Sequence, residues 1–145
     1  KIVRKRLLRH KGKKFNFNKI FIDRSDSKYN HYQLYKNKEI IKKLKISKFG
    51  IFKLSKLSIF DQISLFNSAK IILGLHGAGF ANVMFCKKNT KVYEILKKKD
   101  KKRNLTQTIC NHINLKYKKI LSNKFSKCNG KSQIIFDDNF YNIIK

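Results

Sequence analysis

Short apolar runs alternate with stretches of helical periodicity from Lys19 onward. Lys19-Ile-Phe-Ile-Asp23 is a compact apolar run ending in polar residues, the signature of a strand that opens into a loop. Ile40, Ile41 and Leu44 stand at helical spacing within Asn37 to Lys48, and Gly50 is expected to close that helix. Ile51 to Leu54 predicts a second strand. Ser58 then precedes Asp61 by three residues, a capping pattern for a helix whose buried stripe is Ile59, Ile63, Phe66 and Ala69. Lys70-Ile-Ile-Leu-Gly74 is almost continuously apolar and predicts a strand covered on both faces. Phe80 to Phe85 reads as a short helix, Lys91 to Leu96 as a fourth strand, and Leu105 to Ile113 as a helix with Leu105, Ile109 and Ile113 at four-residue steps. Leu115 to Leu121 predicts a fifth strand, Asn123 to Lys131 a polar loop and Gln133 to Phe136 a sixth strand. Asp137 is placed to cap a terminal helix holding Phe140, Ile143 and Ile144.

This alternation with short connections predicts an α/β fold: a Rossmann-like, doubly wound, mostly parallel sheet. In such folds ligands bind beyond the C-terminal ends of the strands, here after Asp23, Leu54, Gly74 and Leu96. Residues 1–18 are dense in Lys and Arg around Leu7 and Leu8, which reads as a basic linker with a short helix and a flexible connector at Gly12. Residues 19–145 form the expected domain, and a length of 145 suits one core. The chain starts at Lys1, which suggests part of something longer.

A net charge of +28 would attract nucleic acid, an anionic membrane or any polyphosphate. The excess is mostly Lys, spread along the chain among abundant Asn and Ile, with no Pro and no Trp. That is the pattern of codon bias, so a solvated basic surface accounts for much of it without a nucleic-acid groove. Cys86, Cys110 and Cys128 are odd in number and widely spaced, which suggests neither disulfides nor structural zinc and fits a reducing, cytoplasmic setting. Cys110 and His112 are too few for a metal site and read as a buried thiol beside a surface His. No apolar run is long enough for a transmembrane segment and no signal segment precedes the fold, so the protein is expected to be soluble.

The candidate chemistry lies in Gly74-Leu-His-Gly-Ala-Gly79, between a strand and a helix. Glycines let the backbone turn sharply and approach a ligand, and the unpaired N–H groups of a helix start favour an anion, usually phosphate. The spacing is neither a Walker loop nor the dinucleotide fingerprint, which belongs to a first strand. The competing reading is a tight turn with no ligand. His76 is suited to donate to a phosphate or sugar oxygen, or to satisfy a nearby carbonyl. Arg24, just past the first strand, would offer a bidentate fork to phosphate, although among so many cations a surface role is the default. Glu94 sits in an apolar strand and needs a partner, either ribose hydroxyls or a Lys. No close acid pair, no Asp-x-Asp and no Gly-x-Ser-x-Gly argues for a glycoside hydrolase, a metal-chelating transferase or a serine hydrolase.

Asn67-Ser-Ala-Lys-Ile-Ile-Leu-Gly-Leu-His-Gly-Ala-Gly-Phe-Ala-Asn-Val-Met-Phe-Cys86, followed by Thr90-Lys-Val-Tyr-Glu-Ile95, resembles glycosyltransferase family 61 with its His-Gly-Ala-Gly loop. Phe21-Ile-Asp-Arg24 resembles the family's strand ending in Ser-Arg, and Asn37-Lys-Glu-Ile40 its Asn-Glu-x-Glu helix start. With the segment after Gln133, the likeness runs from about residue 19 to 145. The resemblance implies the C-terminal half of a GT-B fold that binds a nucleotide sugar, UDP-linked and without a metal or other cofactor. It further implies a glycan or polysaccharide acceptor held by an N-terminal domain outside this chain. Arg24, His76, Gly77, Ala78 and Gly79 would then face the diphosphate and Glu94 the nucleoside, the catalytic base lying elsewhere. Asp23 replaces the family's Ser, Lys88-Asn89 its Pro-Gly, and Gln33, Leu34 and Tyr35 stand where basic residues are expected.

Overall fold

The computed structural model describes residues 2–10, 12–27, 33–34, 37–122, 125–128 and 131–134, together with Phe140 and Asn142. In chain order its elements are α1 (Ile2–Leu7), β1 (Lys19–Ile22), β2 (Gln33–Leu34), α2 (Asn37–Ile46), β3 (Phe49–Phe52), α3 (Ile59–Ser68), β4 (Ile71–Leu75), β5 (Lys91–Lys97), α4 (Leu105–His112), β6 (Lys116–Ser122), β7 (Phe125–Cys128) and β8 (Lys131–Ile134). Five strands form one parallel sheet in the order β3-β1-β4-β5-β6. The chain leaves β1 toward β3 on one side and returns to β4 on the other, so the winding reverses between β1 and β4. A crevice opens at the strand ends where such a reversal occurs.

Alternation along the strands divides the core into two layers. Ile20, Ile22, Ile72 and Val92 face Ile63 and Phe66 of α3, Cys110 of α4 and the segment Phe80 to Cys86. Phe21, Leu73, Leu75 and Ile95 face Ile40 and Leu44 of α2, with Phe140 filling the same layer. The expected doubly wound α/β sheet is therefore present, with helices on both faces.

Local chemistry accounts for the elements and for their departures from expectation. The Ser58 hydroxyl accepts the Asp61 N–H at 3.1 Å and caps α3. Ile59, expected in the buried stripe, is 52% exposed, and Leu65 is buried instead. Gly50 does not close α2. Lys48 takes the left-handed position there (φ 62°), and Gly50 lies inside β3, where a Cβ would come within 2.6 Å of the Phe17 and Phe52 rings. Ala78–Phe85 winds as a 3-10 segment in place of the expected α-helix. The stripe of α4 is turned from that expected: Leu105 is 72% exposed while Thr106 and Cys110 are buried. The sixth strand is not part of the main sheet. β8 pairs antiparallel with β7, which lies in the span read as a polar loop, and parallel with β2. Asn129-Gly130 between β7 and β8 is a tight-hairpin signature that the loop reading passed over. Asp137, Ile143 and Ile144 lie outside the described residues.

The N-terminal segment read as a linker is fastened to the domain. Arg4 Nη2 donates to the Cys86 carbonyl at 2.8 Å, Gly12 N to Ser64 Oγ at 3.0 Å and Lys13 N to Asp61 Oδ1 at 2.7 Å. Leu7, Leu8 and Phe15 pack against the α3 layer. Gly12 is needed because a Cβ there would overlap the Phe60 carbonyl group, which is backbone and cannot swing aside. Gly12→Ala should accordingly destabilise the fold by about 1–3 kcal/mol in urea unfolding through overpacking. An unchanged midpoint would mean that this segment is not docked as described.

Candidate functional site

Three strand ends and the segments that follow them surround the crevice. β1 delivers Asp23 and Arg24, β4 delivers His76 to Gly79, and β5 runs into Lys97, Lys99, Asp100 and Arg103 before α4. Arg24, His76, Gly77, Ala78, Lys97, Lys99, Asp100 and Arg103, together with Thr106 and Ile109, line a cleft of about 770 Å³, the size range of small-molecule sites. A smaller cavity of about 190 Å³ lies beside it, lined by Asp23, Asp26, Ser27 and Ser55, and Arg24 and Gly77 belong to the walls of both.

The floor is set by Glu94, 1% exposed within β5. Its Oε1 accepts the His76 Nδ1–H at 2.6 Å and the Thr106 hydroxyl at 2.9 Å, and its Oε2 accepts the Tyr117 hydroxyl at 2.6 Å. A buried carboxylate requires such donors. Burial pushes its pKa up, but the donors His76, Tyr117 and Thr106 outweigh that and hold it below the ordinary value. Burial and the same carboxylate push the Tyr117 hydroxyl well above its usual range. Burial and then Glu94 push the Cys110 thiol up to about 12, which leaves it an inert small hydrophobe. Both oxygens of Glu94 are thus engaged inside the domain, with His76 rather than a Lys as the partner able to carry positive charge.

That bond orients His76. The Nδ1 side of the ring is turned to Glu94, and on the other side Arg103 Nη1 lies 3.4 Å from Nε2. Below the ring, Arg24 Nη1 donates to the His76 carbonyl. The Arg24 guanidinium lies so close over Gly77 that a Cβ there would overlap and displace it. Burial lowers the Arg24 pKa and Asp26 opposes the shift; an Arg stays charged regardless. Gly74 and Gly79 serve packing, since a Cβ would sit 2.9 Å from Ile22 Cβ at the first and 2.7 Å from Leu54 Cδ1 at the second. Among the described residues the N–H groups of Gly77, Ala78 and Gly79 have no hydrogen-bond partner, while Phe80 N bonds the Gly77 carbonyl and begins the 3-10 segment.

Asp23, a repulsive neighbour for any anion, is turned into its own loop: Oδ1 accepts the Ser25 N–H and Oδ2 the Ser25 hydroxyl, each at 2.9 Å. Arg24, His76, Gly77 and Ala78 therefore line the large cleft together, Gly79 lines the adjoining cavity, and Glu94 sits beneath. Sequence reading missed Lys97, Lys99, Asp100 and Arg103. The one available signal was their place just after a strand end, masked by the run of cations from Lys97 to Arg103. Among the described residues no cluster of three or more His, Cys, Asp or Glu is placed to hold a metal, and no helix is long and apolar enough to cross a membrane.

A family model described as Glycosyltransferase 61 matches residues 2–93. The matched span takes in the docked N-terminal segment, β1, the glycine loop and the start of β5, and it stops one residue before Glu94. No curated protein matches the chain.

The network around Glu94 sets an acid limit. Its folded-state pKa lies below the ordinary 4.5, so its contribution to stability is complete above that value and is lost as pH falls through the lower folded value. Glu94→Gln should flatten the fall in melting temperature between neutral pH and about pH 3. A remainder will persist from Asp61, whose pKa is lowered chiefly by the Lys13 N–H and Ser58. Identical acid limbs in the two proteins would refute this assignment.

Proposed function

The chain belongs to glycosyltransferase family 61, and from that premise we propose that the large cleft binds the diphosphate of a nucleotide sugar, UDP-linked, as the donor-binding half of the enzyme. The observation that carries the reading is the edge of the glycine loop: the N–H groups of Gly77, Ala78 and Gly79 have no partner among the described residues, and Gly77 lies against the Arg24 guanidinium at the point where the sheet reverses. Backbone donors and a fixed guanidinium together match phosphate oxygens.

The same groups suit the departure of a nucleoside diphosphate. Negative charge grows on the leaving phosphate as the glycosidic bond breaks, and preorganised donors in a cleft stabilise it without reorganising at that moment. Arg24, Gly77, Ala78 and Gly79 fill this role, the His76 ring is held in place by Glu94, and the charge is met by protein cations rather than by a metal. In this reading the domain is the C-terminal part of a GT-B arrangement. A glycan or polysaccharide acceptor and the general base belong to an N-terminal domain outside this chain, and the buried thiols of Cys86 and Cys110 suit a reducing, cytoplasmic setting. The product would be a glycan lengthened by one sugar.

UDP or GDP should raise the melting temperature of the whole chain, reaching ~2.7 kcal/mol of added stability at a hundredfold excess over the dissociation constant. Arg24→Ala and His76→Ala should abolish that gain relative to each variant's own melting temperature, while Lys116→Ala, at the far end of β6, should keep it. Absence of any nucleotide effect alongside tight, strongly salt-dependent DNA binding would overturn the reading in favour of a basic nucleic-acid module.

A further inference from the structure

The segment joining β5 to α4 brings cations to the cleft wall. Lys97 is 8% exposed at the end of β5, and burial followed by the neighbouring Lys99 lowers its pKa. Arg103 reaches further in. Its side chain is 59% exposed yet held at two points, Nε 3.3 Å from Asp100 Oδ1 and Nη1 3.4 Å from His76 Nε2.

Arg24 and Arg103, which follow β1 and β5 on either side of β4, therefore both contact the same residue. One guanidinium holds the His76 carbonyl and the other faces its ring. A guanidinium carries five N–H donors in a planar fork. Arg103 directs two groups of that fork at Asp100 and His76, and its Nη2 has no partner among the described residues. A single phosphate needs one such fork. Two forks flanking a row of backbone N–H groups suit two linked phosphates, each with its own non-bridging oxygens.

We propose that Arg103 is a second phosphate-binding residue of the cleft, closing on a diphosphate from the side opposite Arg24. The proposal rests on the nucleotide-sugar reading for the identity of the ligand, but its geometry requires only a diphosphate. Arg103 then decides between diphosphate and monophosphate ligands, since the inner phosphate is within reach of Arg24 and the loop while the second needs the β5–α4 wall. It also gives His76 a function that Ala cannot supply, as the group around which both guanidiniums are arranged.

Calorimetric titration of the whole chain with UDP, UMP and inorganic pyrophosphate tests this. Arg103→Ala should weaken UDP and pyrophosphate by roughly 10-fold or more, the loss of charge-assisted hydrogen bonds, and UMP by less than about threefold. Arg103→Lys, which keeps the charge without the fork, should recover part of the loss. Lys116→Ala should change all three by less than about twofold, because exposed charges beyond a Debye length are screened. Unchanged UDP and pyrophosphate binding in Arg103→Ala would overturn the inference, as would an equal loss for UMP or an equal loss in Lys116→Ala. Pyrophosphate held through Arg103 without any UDP binding would sustain this inference and sink the nucleotide reading. A chain that binds none of the three would sink both.

Discussion

A carboxylate buried in the middle of a parallel sheet is the constraint around which this domain is built. Glu94 is 1% exposed and takes three side-chain donors, each from a different element: His76 after β4, Thr106 on α4 and Tyr117 on β6. Removing any one leaves a buried charge under-compensated, at about 1–3 kcal/mol per lost bond to a charged group. The network is therefore a positional clamp that ties the β4 loop, α4 and the last strand of the main sheet to β5. It explains the unexpected rotation of α4, which turns Thr106 inward at the expense of Leu105.

From that floor upward the cleft is arranged by geometry rather than by acid-base reactivity. Glu94 holds the ring of His76, and His76 in turn receives one guanidinium on its carbonyl and faces another at its ring. Gly77 leaves room for the first of these, and the reversal of the sheet between β1 and β4 brings Arg24 beside the glycine loop. The arrangement joins fixed cations to backbone N–H groups that have no partner among the described residues, a combination suited to an anionic group. Both carboxylate oxygens of Asp23, at the end of β1, are engaged by Ser25, and Asp100, the acid that lines the cleft, is paired with Arg103.

The N-terminal segment shows how composition misleads. Its density of Lys and Arg reads as a solvated linker, yet Arg4 bonds the Met84 and Cys86 carbonyls while Leu7, Leu8 and Phe15 cover the α3 layer. Long basic side chains can lie along a surface with their stems packed and their heads bonded. Nothing in a count of charges separates that state from a free tail. The same blindness applies to Lys97 to Arg103, where a run of cations hid the particular one that faces His76.

What the sequence determined by itself was the order and type of most elements and the place of the glycine loop at a strand end. These follow from local rules: period-2 and period-3.6 burial, the Ser58 cap, and glycines clustered just past a strand. Arg24 and His76 to Gly79 were legible because strand ends in an alternating α/β chain converge on one edge. Only the tertiary structure decided what the side chains meet there. The partners of Glu94 lie 12 to 23 positions away, and those joining Arg24 and Arg103 to His76 lie 52 and 27 away. Such pairings depend on strand register and helix rotation, which no local pattern encodes. The sequence could therefore point to a glycine loop at the edge where the strand ends converge, while the placing of Glu94 at the floor and Arg103 at the wall had to await the packed domain.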